Sequence, residues 1–84
     1  MEVLIVSFEQ RFDHELDVRG LSCPLPVINT RKFLNTLASG EILRVLSSDP
    51  GSANDFRALV HAIGAEILAQ DIGGEELQFL IRKA

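Results

Sequence analysis

Short segments with a strand-like pattern alternate with two segments of helical hydrophobic spacing along the 84-residue chain. The strand-like segments cover residues 15–18, 42–46, 67–72 and 77–82. The first helical face comprises Val27, Thr30, Leu34 and Leu37, and the second comprises Phe56, Leu59, Val60 and Ile63. This order (βαβαββ) predicts an α/β fold, in which the first strand–helix–strand connection should be right-handed. We expect a two-layer α/β sandwich, with a four-stranded mixed sheet and both helices packed on one face.

Glycine, serine and aspartate residues mark the expected boundaries of these elements. Gly40 and Gly64 are placed to end the two helices in a left-handed conformation. Ser52 and Asp55 have the spacing of a capping box at the start of the second helix. Gly73 and Gly74 predict a two-residue hairpin turn between the last two strands. Residues 13–84 are therefore predicted to form one domain, and residues 1–12 a leader or an extra short strand.

Size and charge exclude several classes of function. A domain of this length cannot hold both a core and a deep cavity, so any chemistry must lie near the surface or be shared with a partner. Asp and Glu outnumber Lys and Arg by 12 to 8, giving a net charge of −4. Direct binding of nucleic acid is not expected from such an acidic chain, because phosphate-binding domains carry a basic excess.

The single cysteine limits both the compartment and the kind of site. One cysteine excludes an internal disulfide and a cysteine-based structural zinc site, so no metal is expected. A small domain without a disulfide or a structural metal is typical of a reducing compartment. The first residues lack the basic region and the long apolar stretch of a signal peptide, and no segment has the length of a membrane span. These features predict a cytoplasmic protein.

Cys23 is the candidate reactive residue, because it directly precedes a proline suited to the first position of a helix. Backbone N–H groups and the helix dipole favour a thiolate or a persulfide anion at that point. The sequence therefore predicts a pKa for Cys23 below its ordinary value, with Arg19, Arg31 and Lys32 adding positive charge nearby. Pro24 and Pro26 stiffen the first turn but remove two N–H donors.

The alternative interpretation is that Cys23 is a small buried apolar residue. The Gly-Leu-Ser loop before it argues for exposure instead. A protease-type cysteine needs a histidine base. His14 is placed at the start of a strand and His61 on a helix, so each is more typical of a structural or surface residue than of such a base. A C-x-x-C redox motif is absent. Cys23 is thus suited to accept, hold or donate a group, and poorly suited to hydrolysis.

The pattern L-D-x-R-G-L-x-C-P-x-P-V over residues 16–27, followed by Arg31 and Lys32, closely resembles the signature of the TusA-like (SirA-like) sulfur carrier family. The match continues with Gly40-Glu41, Asp49-Pro50 and Gly64-Ala65. Members with a role in tRNA thiolation tend to have an acidic residue between the two prolines, where this chain has Leu25. The resemblance implies a two-layer α/β sandwich.

The resemblance also implies that Cys23 receives persulfide sulfur from a cysteine desulfurase or a rhodanese-like donor. The sulfur would pass to an acceptor protein in tRNA thiolation, molybdenum-cofactor maturation or sulfur metabolism, with no cofactor beyond the covalent sulfur. Asp17 and Arg19 are expected to pair and hold the loop, and Gly20 to supply an unusual backbone angle. Supporting residues are Asp17, Arg19, Gly20, Pro24 and Pro26. The predicted partner-binding rim comprises Leu21, Leu25, Arg31 and Lys32, with Arg19 beside it. The protein is expected to be a monomer.

Two other classes of function are open on the residues alone. The first is a small RNA-binding or regulatory α/β module, which the acidic charge and the lack of paired aromatic residues on a strand disfavour. The second is a redox or metal-binding accessory domain, for which one cysteine without an adjacent histidine is a poor site.

Overall fold

The computed structural model describes residues 11–84, and most of the predicted leader lies outside these residues. The elements are strand β1 (His14–Asp17), helix α1 (Leu25–Leu34), strand β2 (Ile42–Ser47), helix α2 (Ser52–Ile63), strand β3 (Glu66–Asp71) and strand β4 (Leu77–Arg82). Arg11 and Phe12 belong to neither a helix nor a strand. The predicted element order and the α/β sandwich are confirmed.

The four strands form one mixed sheet in the order β1-β2-β4-β3. The strands β1 and β2 are parallel, with His14 opposite Leu43 and Asp17 opposite Leu46. The other two pairings are antiparallel. Because the carboxyl ends of parallel neighbours lie at the same edge of a sheet, the loops that follow β1 and β2 meet there.

Both helices pack on one face of this sheet through a single core. The Phe56 ring of α2 contacts the Phe79 ring of β4, with centroids 4.8 Å apart. Helix α1 contributes Leu34, which is completely buried. The other fully buried strand residues of this cluster are Leu43, Val45 and Ile81. Within residues 11–84, neither helix has the length and apolar content of a membrane span.

Helix α1 ends six residues before the glycine that was expected to end it. Asn35, the residue after the helix, keeps a right-handed conformation, and the chain continues through turns. The Lys83 ammonium group donates to the carbonyl oxygens of Leu34 and Leu37 at 2.8 and 3.3 Å. The chain turns more tightly there, since the N–H groups of Thr36 and Leu37 donate to the carbonyls of Phe33 and Leu34, and Lys83 adds a cation at this helix end. Gly40 does have φ of 86°, but it lies in the turn that leads into β2.

The other boundary signals have mixed outcomes. Gly64 ends α2 with φ of 75°, as predicted. The capping-box prediction is wrong: Gly51 precedes the helix, no side chain caps it, and Ser52 donates its hydroxyl to the Asp49 carbonyl. The two-residue hairpin prediction is also wrong, because residues 72–76 separate β3 from β4.

Two leucines of α1 give a direct test of this packing. Leu34 is fully buried, whereas Leu25 is 46% exposed. We expect Leu34→Ala to lower the free energy of unfolding by about 3 kcal/mol, since it removes buried methyl groups and leaves a cavity. Leu25→Ala should lower it by less than about 1 kcal/mol. Urea denaturation followed by circular dichroism measures both values, and equal losses would contradict the assigned orientation of α1.

Candidate functional site

Cys23 lies in the loop between β1 and α1, at the sheet edge where this loop meets the one between β2 and α2. Its side chain is exposed. The backbone N–H of Cys23 donates to the Asp49 carboxylate (Oδ2) at 2.8 Å, and the other oxygen of Asp49 accepts from the Gly51 N–H at 3.1 Å. Asp49 therefore ties the cysteine loop to the neighbouring loop.

An ion pair within the first loop holds its start. Arg19 donates from Nε and Nη2 to the two oxygens of Asp17 at 2.9 and 2.7 Å, and from Nη1 to Glu76 at 3.0 Å. The Arg19 guanidinium beside Asp17 lowers the pKa of that carboxyl from 3.8 to about 2. Gly20 has φ of 86° and donates its N–H to the Ser48 hydroxyl. The expected pairing of Asp17 with Arg19 and the unusual angle of Gly20 are confirmed.

The thiol of Cys23 points at an acidic side chain of α2. Its Sγ lies 3.3 Å from Oδ2 of Asp55, with the thiol as donor. This hydrogen bond raises the pKa of Cys23 above its ordinary value, and partial desolvation and the negative charges of Asp55 and Asp49 act in the same direction. The predicted lowering of the cysteine pKa is therefore wrong.

The start of α1 explains why the helix does not outweigh these carboxylates. The helix begins at Leu25, so Cys23 lies two residues before it and Pro24 occupies the cap position. The N–H of Leu25 donates to the Ser22 carbonyl, the N–H of Ile28 donates to the Pro24 carbonyl, and Pro26 has none. Most of the N–H groups that would attract an anion are thus absent or already engaged.

An open groove runs from Cys23 along the contact between the two helices, with a volume of about 390 Å³. Its apolar lining consists of Pro24, Val27, Ile28, Ala58, Leu59 and Ala62. The polar side chains in it are Cys23, Arg31 and Asp55. A sulfur atom on Cys23 therefore has both an apolar wall and charged groups beside it.

The structure divides the predicted partner-binding residues between two places. Arg31 lines the groove beside Cys23, whereas Leu25 is exposed but does not line it. Lys32 lines a different groove, with Leu16 and Phe33. Leu21 is half-buried against the core, and Pro26 is fully buried. The predicted roles of Leu21, Leu25, Arg31 and Lys32 in binding a partner stay predictions.

Sequence reasoning did not assign Asp49 and Asp55 to the site. The sequence indicates Asp49 only as part of the family resemblance, and Asp55 only as part of a capping box. Asp49 lies in the loop after β2, and Cys23 lies in the loop after β1. Because the carboxyl ends of parallel neighbours meet at one sheet edge, the sequence pattern could have placed Asp49 near Cys23. Among residues 11–84, no group of three or more His, Cys, Asp or Glu side chains is arranged to hold a metal ion.

Comparison with known proteins assigns the family. The model of the family described as sulfurtransferase TusA matches residues 14–83. The chain belongs to the TusA family. Sulfur carrier protein TusA of Allochromatium vinosum is 44% identical over 73 residues, which are 87% of this chain and 96% of that protein.

A solved structure supports the same assignment. The crystal structure of a SirA-like protein from Desulfitobacterium hafniense matches with a TM-score of 0.67 and 26% identity. The match covers 83% of this chain and 96% of the other. The TusA-like resemblance seen in the sequence is thereby confirmed.

The pair of Asp17 and Arg19 predicts a measurable titration. Because the folded pKa of Asp17 is about 2 and its ordinary value is 3.8, the pair stabilises the fold above pH 3.8, and this stabilisation is lost as pH falls towards 2. Arg19→Gln should raise the Asp17 midpoint towards 3.8 in a side-chain carboxyl NMR titration. Arg57→Gln is the control, since Arg57 donates to Asn54. An Asp17 midpoint that stays near 2 in Arg19→Gln would refute this cause.

Proposed function

We propose that this TusA family protein is a sulfur carrier that holds one sulfur atom on Cys23 as a persulfide and passes it to an acceptor protein. The observation that supports this most is the exposed thiol of Cys23 at the end of an open groove. No histidine of residues 11–84 lines the groove, so the site lacks the base that a hydrolytic cysteine uses. Such a thiol is equipped to exchange sulfur rather than to hydrolyse a bond.

The proposed chemistry conserves sulfur, electrons and protons. The Cys23 thiolate attacks the outer sulfur of a persulfide on the donor protein. A new S–S bond forms at Cys23, the S–S bond of the donor breaks, and the donor cysteine leaves as a thiolate. That thiolate takes up one proton, equal in number to the one that Cys23 lost, so the step needs no oxidant or reductant. Delivery to the acceptor is the same exchange with Cys23 as the leaving thiol.

The partners are proposed from the chemistry of the site. A cysteine desulfurase or a rhodanese-like protein is the expected donor, and the acceptor is a second protein. The groove is open, so it cannot enclose a persulfide by itself, and transfer requires a protein–protein contact centred on Cys23. The exposed Leu25 and Ile28 near the cysteine supply apolar area for a contact of modest size. A free thiol on the surface fits a reducing compartment such as the cytoplasm.

The identity of the carrying residue is tested by intact mass. After incubation with a cysteine desulfurase and cysteine, we expect the protein to gain about 32 Da, the mass of one sulfur atom, and to lose it on treatment with a reductant. Cys23→Ser should fold normally, as judged by circular dichroism, and gain nothing. Equal loading of this variant would show that the sulfur is not held on Cys23.

Charge reversal at two adjacent cationic residues tests whether the donor docks along the groove of Cys23 or responds only to the overall charge of the carrier. Arg31 lines the groove of Cys23, whereas Lys32 lines another one. Arg31→Glu should slow sulfur acceptance about threefold or more at low ionic strength, and less at high ionic strength, because charges at an interface act on the association rate. Lys32→Glu should have a smaller effect.

Alkylation by iodoacetamide provides the control for this comparison. Both variants should react at rates close to that of the unchanged protein, since only docking is altered. If Lys32→Glu slows sulfur acceptance as much as Arg31→Glu does, the donor does not approach along the groove.

A further inference from the structure

The carboxylate of Asp55 has a single hydrogen-bond partner among the described residues, and that partner is the reactive thiol. The residue lies in the first turn of α2 and faces the groove. Asp49, the other acidic side chain close to Cys23, is engaged by two backbone N–H groups. Asp55 is therefore the group whose charge bears directly on the thiol and is still available to a partner.

We propose that Asp55 holds the Cys23 thiol protonated in the free protein, and that the sulfur donor inserts a cationic side chain into the groove to pair with Asp55 and release the thiolate. This inference rests on the proposed function and names the chemistry of the donor surface. The donor side chain is a lysine or an arginine carried on an otherwise apolar segment, since the groove wall is mainly apolar.

Geometry and charge support the first half of this proposal. An S–H donor 3.3 Å from a carboxylate oxygen loses its hydrogen bond on ionisation and leaves two negative charges in contact. The negative charge of Asp49 disfavours ionisation further. The protonated form is a poor nucleophile, so the free carrier is protected from stray disulfides and electrophiles.

Charge complementarity supports the second half. Arg31 is the other charged side chain of the groove, and within residues 11–84 it forms no ion pair with Asp55 or Asp49. The donor surface that fits this groove therefore places its cation beside Asp55 and an acidic side chain beside Arg31, so reversal of the Arg31 charge slows sulfur acceptance. A cation placed beside Asp55 attracts the carboxylate and stabilises the thiolate with the same charge. The proton from Cys23 is released to water and is replaced by the one that the departing donor thiolate takes up, so the exchange stays balanced.

The experiment compares Asp55→Asn with Asp71→Asn, which removes the same charge from a residue of β3 that does not line the groove. The rate of alkylation of Cys23 by iodoacetamide is measured against pH for the free proteins. Asp55→Asn should shift the midpoint of this profile to lower pH and raise the rate at pH 7 about fivefold, the effect of one unit charge at contact distance in a watery environment. Asp71→Asn should match the unchanged protein. Asp55→Ser is a second variant, in case Asp55→Asn folds poorly.

Sulfur acceptance from a cysteine desulfurase, followed by intact mass, tests the donor cation. We expect the ratio of the sulfur-acceptance rate to the alkylation rate to fall at least about fivefold in Asp55→Asn, because the thiol is more reactive but the contact with the cation is lost. An unshifted alkylation profile would overturn the role of Asp55. Acceptance that rises in proportion to alkylation would overturn the donor cation.

The role of Asp55 and the proposed sulfur transfer are tested by separate measurements. Alkylation needs no donor, so its pH profile decides the role of Asp55 independently. A wild-type protein that accepts no sulfur would overturn the proposed function, and the donor cation with it.

Discussion

The parallel pairing of β1 with β2 is the constraint on which the site depends. It brings the loop that follows Asp17 beside the loop that follows Ser47. The first loop carries Cys23, and the second leads into α2 with Asp49 and Asp55. The hydrogen bond from the Cys23 N–H to Asp49 and the contact between the thiol and Asp55 exist only because these two loops share one edge. An antiparallel pair would place them at opposite ends of the sheet.

The electrostatics of this edge differ from those of a helix-capped cysteine. A thiol directly at a helix N-terminus gains from free N–H groups, whereas Cys23 lies before Pro24 and Leu25, where those groups are few. Two carboxylates then dominate the local field. The site is built to store a thiol in its neutral form at an accessible place, which suits a carrier that must react with its partners and not with every disulfide it meets.

The sequence predicts correctly those parts of the fold in which a local pattern of residues allows only one structure. The spacing of Phe56, Leu59 and Val60 predicts a core-facing helix, and these residues are buried. Gly20 and Gly64 stand where positive φ is required. The pair of Asp17 and Arg19 is only two residues apart, so a local argument suffices for it.

The parts that the sequence does not predict depend on contacts between distant residues. Helix α1 ends at Leu34, where Lys83, 49 residues away in the sequence, donates to the carbonyl of that last helical residue. Ser52 and Asp55 have capping-box spacing, yet Ser52 bonds to Asp49 and Asp55 meets a thiol 32 residues away. The sign of the Cys23 pKa shift followed from these two loops and not from the motif around the cysteine.

In the proposed function, Cys23 takes sulfur directly from a donor protein. A single-turnover reaction tests this: a desulfurase loaded with persulfide and freed of cysteine is mixed with the protein and quenched with iodoacetamide. Trypsin releases residues 20–31, which contain Cys23. We expect this peptide to gain one sulfur at the same rate at which the donor loses it. Loss of donor sulfur as free sulfide, with peptide 20–31 left unloaded, would contradict the account.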